Sequence, residues 1–565
     1  MLKDEIKKII SNVAEVPADD FSVEVPDDKS HGDYSTNVAL LLAKKLNKSP
    51  QEVASLIRAN KTIQESGLFT KVEVAGPGFI NFFVSEKVFI DNLKKIDKNY
   101  GKGSELKNKK IILDYTDPNP FKEFHIGHLM SNAIGESLSR IFEFQGAKIK
   151  RVCYQGDVGM HVAKAIWDLK NMGIQRVMIT DMGSTARAYT VGSEAYEKSE
   201  EARREINEIN KKIYNRGDPE INKLYDLGKE KSLKYFDEIY KKLGTKFDWL
   251  IFESETGEIG KKIVEKGLKD GVFEKGENGA VIFKGEKYGL HTRVFINSEG
   301  LPTYEAKDLG LAEIKYKKYA YDQSFVVTGN EVNEYFKVML CAMGKVAPKL
   351  AEKTKHIGHG MLRLPEGKMS SRTGKVITAE SLIEKVEELV NQKIKDRELS
   401  EKEKREITEK VAIGAIRYSI LKQSIGSDII YDFDKSISFE GDSGPYLQYS
   451  YTRAQSVLKK AKRPASGCPG IKASFKKVPN EITQLEKAMS YFPEMVFKAG
   501  KSYEPHFLVL YLTELAGEFN SYYAKNKIVD KSDEFSPYKV ALTNAFSTIM
   551  KNGLWMLGIE TLNKM

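Results

Sequence analysis

Residues 111 to 146 read IILDYTDPNPFKEFHIGHLMSNAIGESLSRIFEFQG, and no other stretch restricts the fold of this chain as tightly. Ile111 to Tyr115 is a short apolar strand candidate. Pro118 and Pro120 break the backbone behind it, and a helix is predicted to start near His125 with Leu129, Ile134, Leu138, Ile141 and Phe142 on one face. Further strand candidates, KIKRVCY and FVVTG, alternate with helical patterns downstream. That alternation predicts a parallel-sheet α/β domain over about 106–380, with its ligand at the strand ends.

Residues 1 to about 105 read as a smaller α/β unit. Helices are expected near 3–14 and 36–46, and the strands VEVA and FINFFV flank Gly76-Pro77-Gly78 as a hairpin. The charged run from about 194 to 245 keeps apolar residues at helical spacing. It is expected to form solvent-exposed helices, part of a helical insertion in the α/β domain at about 165–290, and no catalysis is assigned to it. Helical periodicity dominates from 381 to 565, so a helical bundle is expected there.

With 565 residues, 41% hydrophobic and 30% charged, the chain has ample core for several domains and is too polar for a membrane protein. No apolar run reaches about 18 residues, and the charged start lacks the apolar core of a signal peptide, so a cytoplasmic location is expected. Cys153, Cys341 and Cys468 are far apart and form no CxxC, which suggests neither a disulfide framework nor a cysteine zinc site. The net charge of +10 is compatible with a polyanionic partner. Arg453 to Lys477 holds eight Lys or Arg and no acid, just after Tyr446, Tyr449 and Tyr451. It reads equally as a solvated helix end and loop or as a phosphate-contacting patch.

The chemistry concentrates at the predicted helix start. Unpaired N–H groups and the helix dipole favour phosphate there, His125 and His128 add donors for developing charge, and Gly127 allows close approach. A packed histidine pair is the alternative, as is a metal site, although no third ligand is evident nearby. The string His-Ile-Gly-His recurs at His356 to His359, followed by Gly and Pro, and there it fits a strand end leading into a loop. That loop, Lys368-Met369-Ser370-Ser371-Arg372-Thr373-Gly374, is suited to close over a triphosphate. Taken alone it reads equally as a solvated loop or a phosphorylation site. Neither a Walker A spacing nor a convincing GxGxxG is present.

Together these segments resemble the class I aminoacyl-tRNA synthetases, which carry a His-Ile-Gly-His motif early in a Rossmann fold and a Lys-Met-Ser-Lys-Ser loop near its end. The closer resemblance is to the arginyl-tRNA synthetases and spans nearly the whole chain, through HGDYSTNVALLLAKKL, DPNPFKEFHIGHLMSNAIGES, YQGDVGMHVAKAIW, LPTYEAKDLGLAE, GPYLQYSYTRAQSVLKKA and EPHFLVLYLTELAGEFNSYY. It implies a multidomain α/β protein: a Rossmann-like parallel-sheet catalytic domain, a small N-terminal α/β domain contacting the tRNA, and a C-terminal helical bundle reading the anticodon, where aromatics such as Tyr446 and Tyr449 either stack on bases or belong to the core. The implied reaction joins L-arginine to ATP as arginyl-adenylate and transfers it to the 3′ end of tRNA, with Mg²⁺ accompanying ATP and no zinc. A monomer is usual for the family.

The resemblance also assigns residues. Asp114, Asn119, Tyr304 and Asp308 take the positions that hold arginine, and two carboxylates are the right complement for a guanidinium fork. Gln155, Asp157 and His161 fall on a segment that lines the amino-acid pocket. His125, His128, Gly127, Lys368, Ser370, Ser371 and Arg372 fall on ATP positions. Ser371 stands where the general loop has its second Lys, with Arg372 next to it, and Lys122 occupies the place of the compensating Lys. Val158 replaces a frequent Trp, and Asn330-Glu331-Val332 stands where many members have a substrate-contacting Gln. Rival readings are a class I synthetase for another amino acid such as lysine, and a non-catalytic tRNA-binding protein.

Overall fold

The structure is a computed structural model that describes residues 1–26, 28–173, 177, 182–364, 378–462, 475 and 477–565. Lys368, Ser370, Ser371 and Arg372, Cys468 and most of the basic run after Lys462 lie outside the described residues.

The centre of the molecule is a parallel sheet of five strands: β1 (Lys110–Tyr115), β2 (Lys148–Gln155), β3 (Trp249–Phe252), β4 (Gln323–Gly329) and β5 (Thr354–His359), in the order β5-β4-β1-β2-β3. Ile111 to Tyr115 are all buried, as a strand covered on both faces requires. Alternation divides them. Ile111, Leu113 and Tyr115 pack with α1 (Ile126–Phe144), whose Leu129, Ile134, Leu138, Ile141 and Phe142 are all in that core. Ile112, with Val152 and Val326 of the neighbouring strands, faces the other core.

Between β2 and β3 run α2 (Met160–Met172), α3 (Met182–Lys198), α4 (Glu200–Asn215) and α5 (Pro219–Leu243). Ile166, Ile206, Ile213 and Leu224, drawn from the charged run and its surroundings, form a separate small core with Phe121. After β3 come α6 (Glu253–Lys269), an antiparallel sheet of Glu274–Lys275, Val281–Phe283 and Arg293–Ile296, and α7 (Tyr304–Lys318). The stretch read as a helical insertion is therefore corrected: β3 belongs to the parallel sheet, and two short antiparallel strands follow before residue 290. At two to four residues each, these strands are too short to show a period of two against the helical pattern around them.

The N-terminal unit has the expected helix Leu2–Ala14 and the hairpin Phe69–Ala75/Phe79–Val84 in a four-stranded sheet. The C-terminal third is helical, including Glu401–Leu421, Gly444–Ala461, His506–Lys525 and Ser536–Met556. Its core is continuous with that of α1: Arg140 Nη1 donates to Trp555 O at 3.0 Å and Gln145 Nε2 to Val496 O at 2.8 Å. The N-terminal unit docks on the same bundle through Tyr34 Oη, which donates to Glu494 at 2.6 Å, and through the Lys487–Asp33 ion pair at 2.9 Å. No described helix is long and apolar enough to cross a membrane.

Candidate active site

The strand order reverses between β1 and β4, and a crevice is expected at their carboxyl ends. A cavity of about 530 Å³ opens there. The loop after β1 is bent hard to frame it: Thr116, Asp117 and Phe121 all have positive φ, at 84°, 48° and 69°. For a β-branched residue such as Thr116 this is a strained conformation, stabilised by its surroundings. Ser131 Oγ accepts from Thr116 N at 3.0 Å, Asn132 donates to Thr116 Oγ1 at 3.0 Å, and Ser232 Oγ accepts from Phe121 N at 2.9 Å.

That loop delivers His125 to the N-cap of α1. Gly127 N donates to His125 Nδ1 at 3.1 Å, His125 N donates to His128 Nδ1 at 3.2 Å, and the two rings stack with centroids 3.5 Å apart. The histidines are thus a packed pair and a helix cap at once. Burial drives His125 down to about 4 and His128 well below the ordinary imidazole range, so both are neutral near pH 7. With each Nδ1 accepting, the proton of each neutral ring sits on Nε2. The site therefore offers two neutral N–H donors at the positive end of a helix dipole, a setting for anionic oxygens that adds no imidazolium charge.

The same cavity holds a carboxylate group. Asp114, fully buried at the end of β1, accepts from Lys315 Nζ of α7 at 3.0 Å. Asp308, two turns earlier on α7, accepts from Tyr335 Oη at 2.6 Å, and burial pushes it up to about 7. Asp117 accepts from Tyr154 N at 2.8 Å and is pushed well up by burial and by the charge of Asp114. Asn119 Oδ1 accepts from Gly156 N at 2.8 Å and ties the loop to the end of β2. A Cβ on Gly156 would come within 2.7 Å of that oxygen and 2.9 Å of Glu253 Oε1, so glycine keeps this corner open.

Tyr304, 62% exposed at the start of α7, borders both this cavity and a second one of about 450 Å³. Lys122, His161, Lys164, Tyr189, Tyr214 and Lys307 line the second. Lys122 Nζ lies 4.7 Å over the Tyr189 ring, and His161 Nε2 donates to Gly156 O at 2.8 Å.

Of the residues singled out from sequence, Asp114, Asn119, His125, Gly127, His128, Tyr304 and Asp308 meet in the first cavity, and Lys122 and His161 in the second. Gln155 lines neither. Alternation on β2 sends Tyr154 into the cavity and Gln155 to the opposite face, where its Nε2 donates to Tyr240 Oη at 3.2 Å. Asp157 is buried too, accepting from Lys229, Tyr225 and Ser254. Sequence reasoning missed Lys315, Glu253, Tyr335 and His359, all of which line the first cavity. Within Asn330-Glu331-Val332, it is Glu331 and Val332 that reach it.

A parallel sheet with this reversal and a His-Ile-Gly-His helix start at its switch point defines a class I aminoacyl-tRNA synthetase, and residues 90–433 match the model of the class I tRNA synthetase (R) catalytic domain. Residues 1–84 match the arginyl-tRNA synthetase N-terminal domain and 447–565 the DALR anticodon-binding domain. The arginine–tRNA ligase of Clostridium acetobutylicum is 32% identical over 557 residues, covering 96% of both chains, and that of Borreliella burgdorferi is 31% identical over all of this chain and 99% of its own. The arginyl-tRNA synthetase structure from Thermus thermophilus shares the fold over 100% of both chains, with a TM-score of 0.80 at 22% identity. The chain belongs to the arginyl-tRNA synthetase family and is an arginine–tRNA ligase.

Proposed function

We propose that the two ends of the first cavity divide the substrates of arginine activation. Asp114, Asn119, Tyr304 and Asp308 hold L-arginine, and the α1 start, with His125, Gly127 and His128, holds ATP, which brings Mg²⁺ as part of the substrate. The arginine carboxylate attacks the α-phosphorus, the bond from that phosphorus to the α,β-bridging oxygen breaks, and pyrophosphate leaves. No protein nucleophile is required. The Nε2–H groups of His125 and His128 take the charge that grows on phosphate oxygens, while Lys122, Lys368, Ser370, Ser371 and Arg372 supply further donors. A 3′-terminal ribose hydroxyl of tRNA then attacks the adenylate carbonyl and AMP leaves.

The second cavity, with three lysines among tyrosine rings, suits a phosphodiester strand with stacked bases, and it is the entry assigned to the tRNA 3′ end. Gln155 and His161 act from behind the arginine site in this reading, through Tyr240 and Gly156. The chain is taken to act as a cytoplasmic monomer. Its division is drawn at 1–105 for tRNA contact, 106–380 for catalysis and 381–565 for the anticodon.

The observation that carries the reading is one cavity lined both by buried carboxylates and by a neutral histidine pair on a helix start. Charging of total tRNA with each standard amino acid, in ATP and Mg²⁺, tests it. Arginine alone should be attached, and Asp308→Asn should raise the KM for arginine far more than that for ATP. Attachment of another amino acid would sink the assignment of the carboxylates.

A further inference from the structure

Lys315 is a costly residue where it stands. Its side chain is 2% exposed, it lines the first cavity, and its Nζ donates to one oxygen of Asp114 at 3.0 Å. Leaving an ammonium there is unfavourable unless it serves neighbouring charge. Three carboxyls surround it: Asp114 at the end of β1, Asp117 on the loop after β1, and Asp308 one helical stretch earlier on α7. Lys315 draws every one of them downward against burial, and the Asp114 charge draws Lys315 upward in return. The other titratable groups facing these carboxyls are Tyr154 and Cys153 on β2, Tyr335 and Tyr321, and Glu253 of α6, whose charge pushes Asp308 up and which is itself paired with Lys307.

The second oxygen, Asp114 Oδ1, is buried and has no hydrogen-bond partner among the described residues. A carboxylate with one oxygen held by a fixed cation and the other buried without a partner at the wall of a cavity keeps acceptor capacity for one more donor.

We propose that Lys315 is a positioning residue of the arginine site: by holding one oxygen of Asp114 it fixes that carboxylate and supplies the positive charge that lets the neighbouring carboxyls turn toward a cationic group of the substrate. This rests on the arginine reading of Asp114 and Asp308. Without Lys315 the three carboxyls face one another in a dry pocket and share protons, as like charges in a low-dielectric site do. Substrate affinity then depends on pH more steeply, and up to higher pH, than in the parent.

The test compares the whole enzyme with Lys315→Met, Lys315→Gln and Lys315→Arg, measuring aminoacylation kinetics from pH 6 to pH 9. Lys315→Met and Lys315→Gln should raise the KM for arginine at least tenfold at neutral pH while the KM for ATP stays within about twofold. That deficit should shrink as pH rises and the carboxyls ionise. Lys315→Arg should restore the KM for arginine to within about threefold of the parent. Equal damage to kcat and both KM values at every pH, or an Arg variant as impaired as the Met variant, would overturn the proposal. Should Lys315→Met not fold, the Gln and Arg pair decides between the same outcomes. Asp114→Asn separates the two levels: an unchanged KM for arginine in that variant sinks the underlying site, whereas a raised one alongside silent Lys315 variants sinks this inference alone.

Discussion

The chain carries His-Ile-Gly-His twice, and the two copies are put to different uses. In the first, residues i and i+3 fall on one face of a helix start, and His125 and His128 stack on each other at 3.5 Å. In the second, the same spacing on β5 sends the rings to opposite faces of the sheet. His356 stacks on Phe336 at 3.9 Å and its Nε2 lies 2.7 Å from Thr328 Oγ1, while His359 Nδ1 donates to Gly360 O at 2.7 Å and borders the cavity. All four rings are pushed below their ordinary range by burial. Protonation therefore does not distinguish the copies, and backbone conformation does.

The sharpest break between them is expected from alanine. On the proposed role of His128 as a donor to developing phosphate charge, His128→Ala should lower kcat by roughly 10²–10³-fold, as loss of one such donor does elsewhere. A loss under tenfold in steady-state aminoacylation would place the first copy beside the second as packing. Next in size is the acidic end of the same cavity. With Asp308 at about 7, its carboxylate is mostly protonated at pH 6 and mostly ionised at pH 8. The KM for arginine should then fall by about tenfold across that interval, since only the ionised form accepts a guanidinium. A flat profile would mean that Asp308 does not meet the substrate cation. His359→Phe keeps a buried ring but loses a polar edge at the cavity, and should change KM values by about threefold with little effect on kcat.

Much of this comparison was legible before any coordinates. The run IILDY, the proline break and the apolar face from Leu129 to Phe142 determine β1 and α1, and the Gly-Pro context of the second copy marks a strand end. What sequence could not show is which member of a set of similar residues turns inward. Lys315 is one lysine among Lys307, Lys315, Lys317 and Lys318 on α7, and only the packing against β1 buries it while Lys317 and Lys318 stay exposed. Gln155 and Tyr154 are neighbours of equal promise in the sequence, and strand alternation chose the tyrosine. His359 was hidden for a related reason: its cavity is assembled from β1, β4, β5 and α7, which are more than 200 residues apart at their extremes.

The smallest effect on catalysis belongs to His356. Its ring faces the core that contains Phe336, Met339 and Val338, away from α1, so His356→Ala should leave kcat and both KM values within about twofold. Its cost is structural. The substitution deletes a stacked ring and leaves Thr328 Oγ1, among the described residues, with its 3.4 Å contact to Gly329 O, a combination worth about 1–3 kcal/mol. A lowered denaturation midpoint with intact turnover would complete the contrast with His128→Ala, in which turnover should fail first. If turnover fell as steeply at His356, the strand end that carries Thr328 and Gly329 into the cavity would be transmitting the damage. Thr328→Val, which removes the same hydrogen bond from the other side while keeping the strand, would then reproduce the loss.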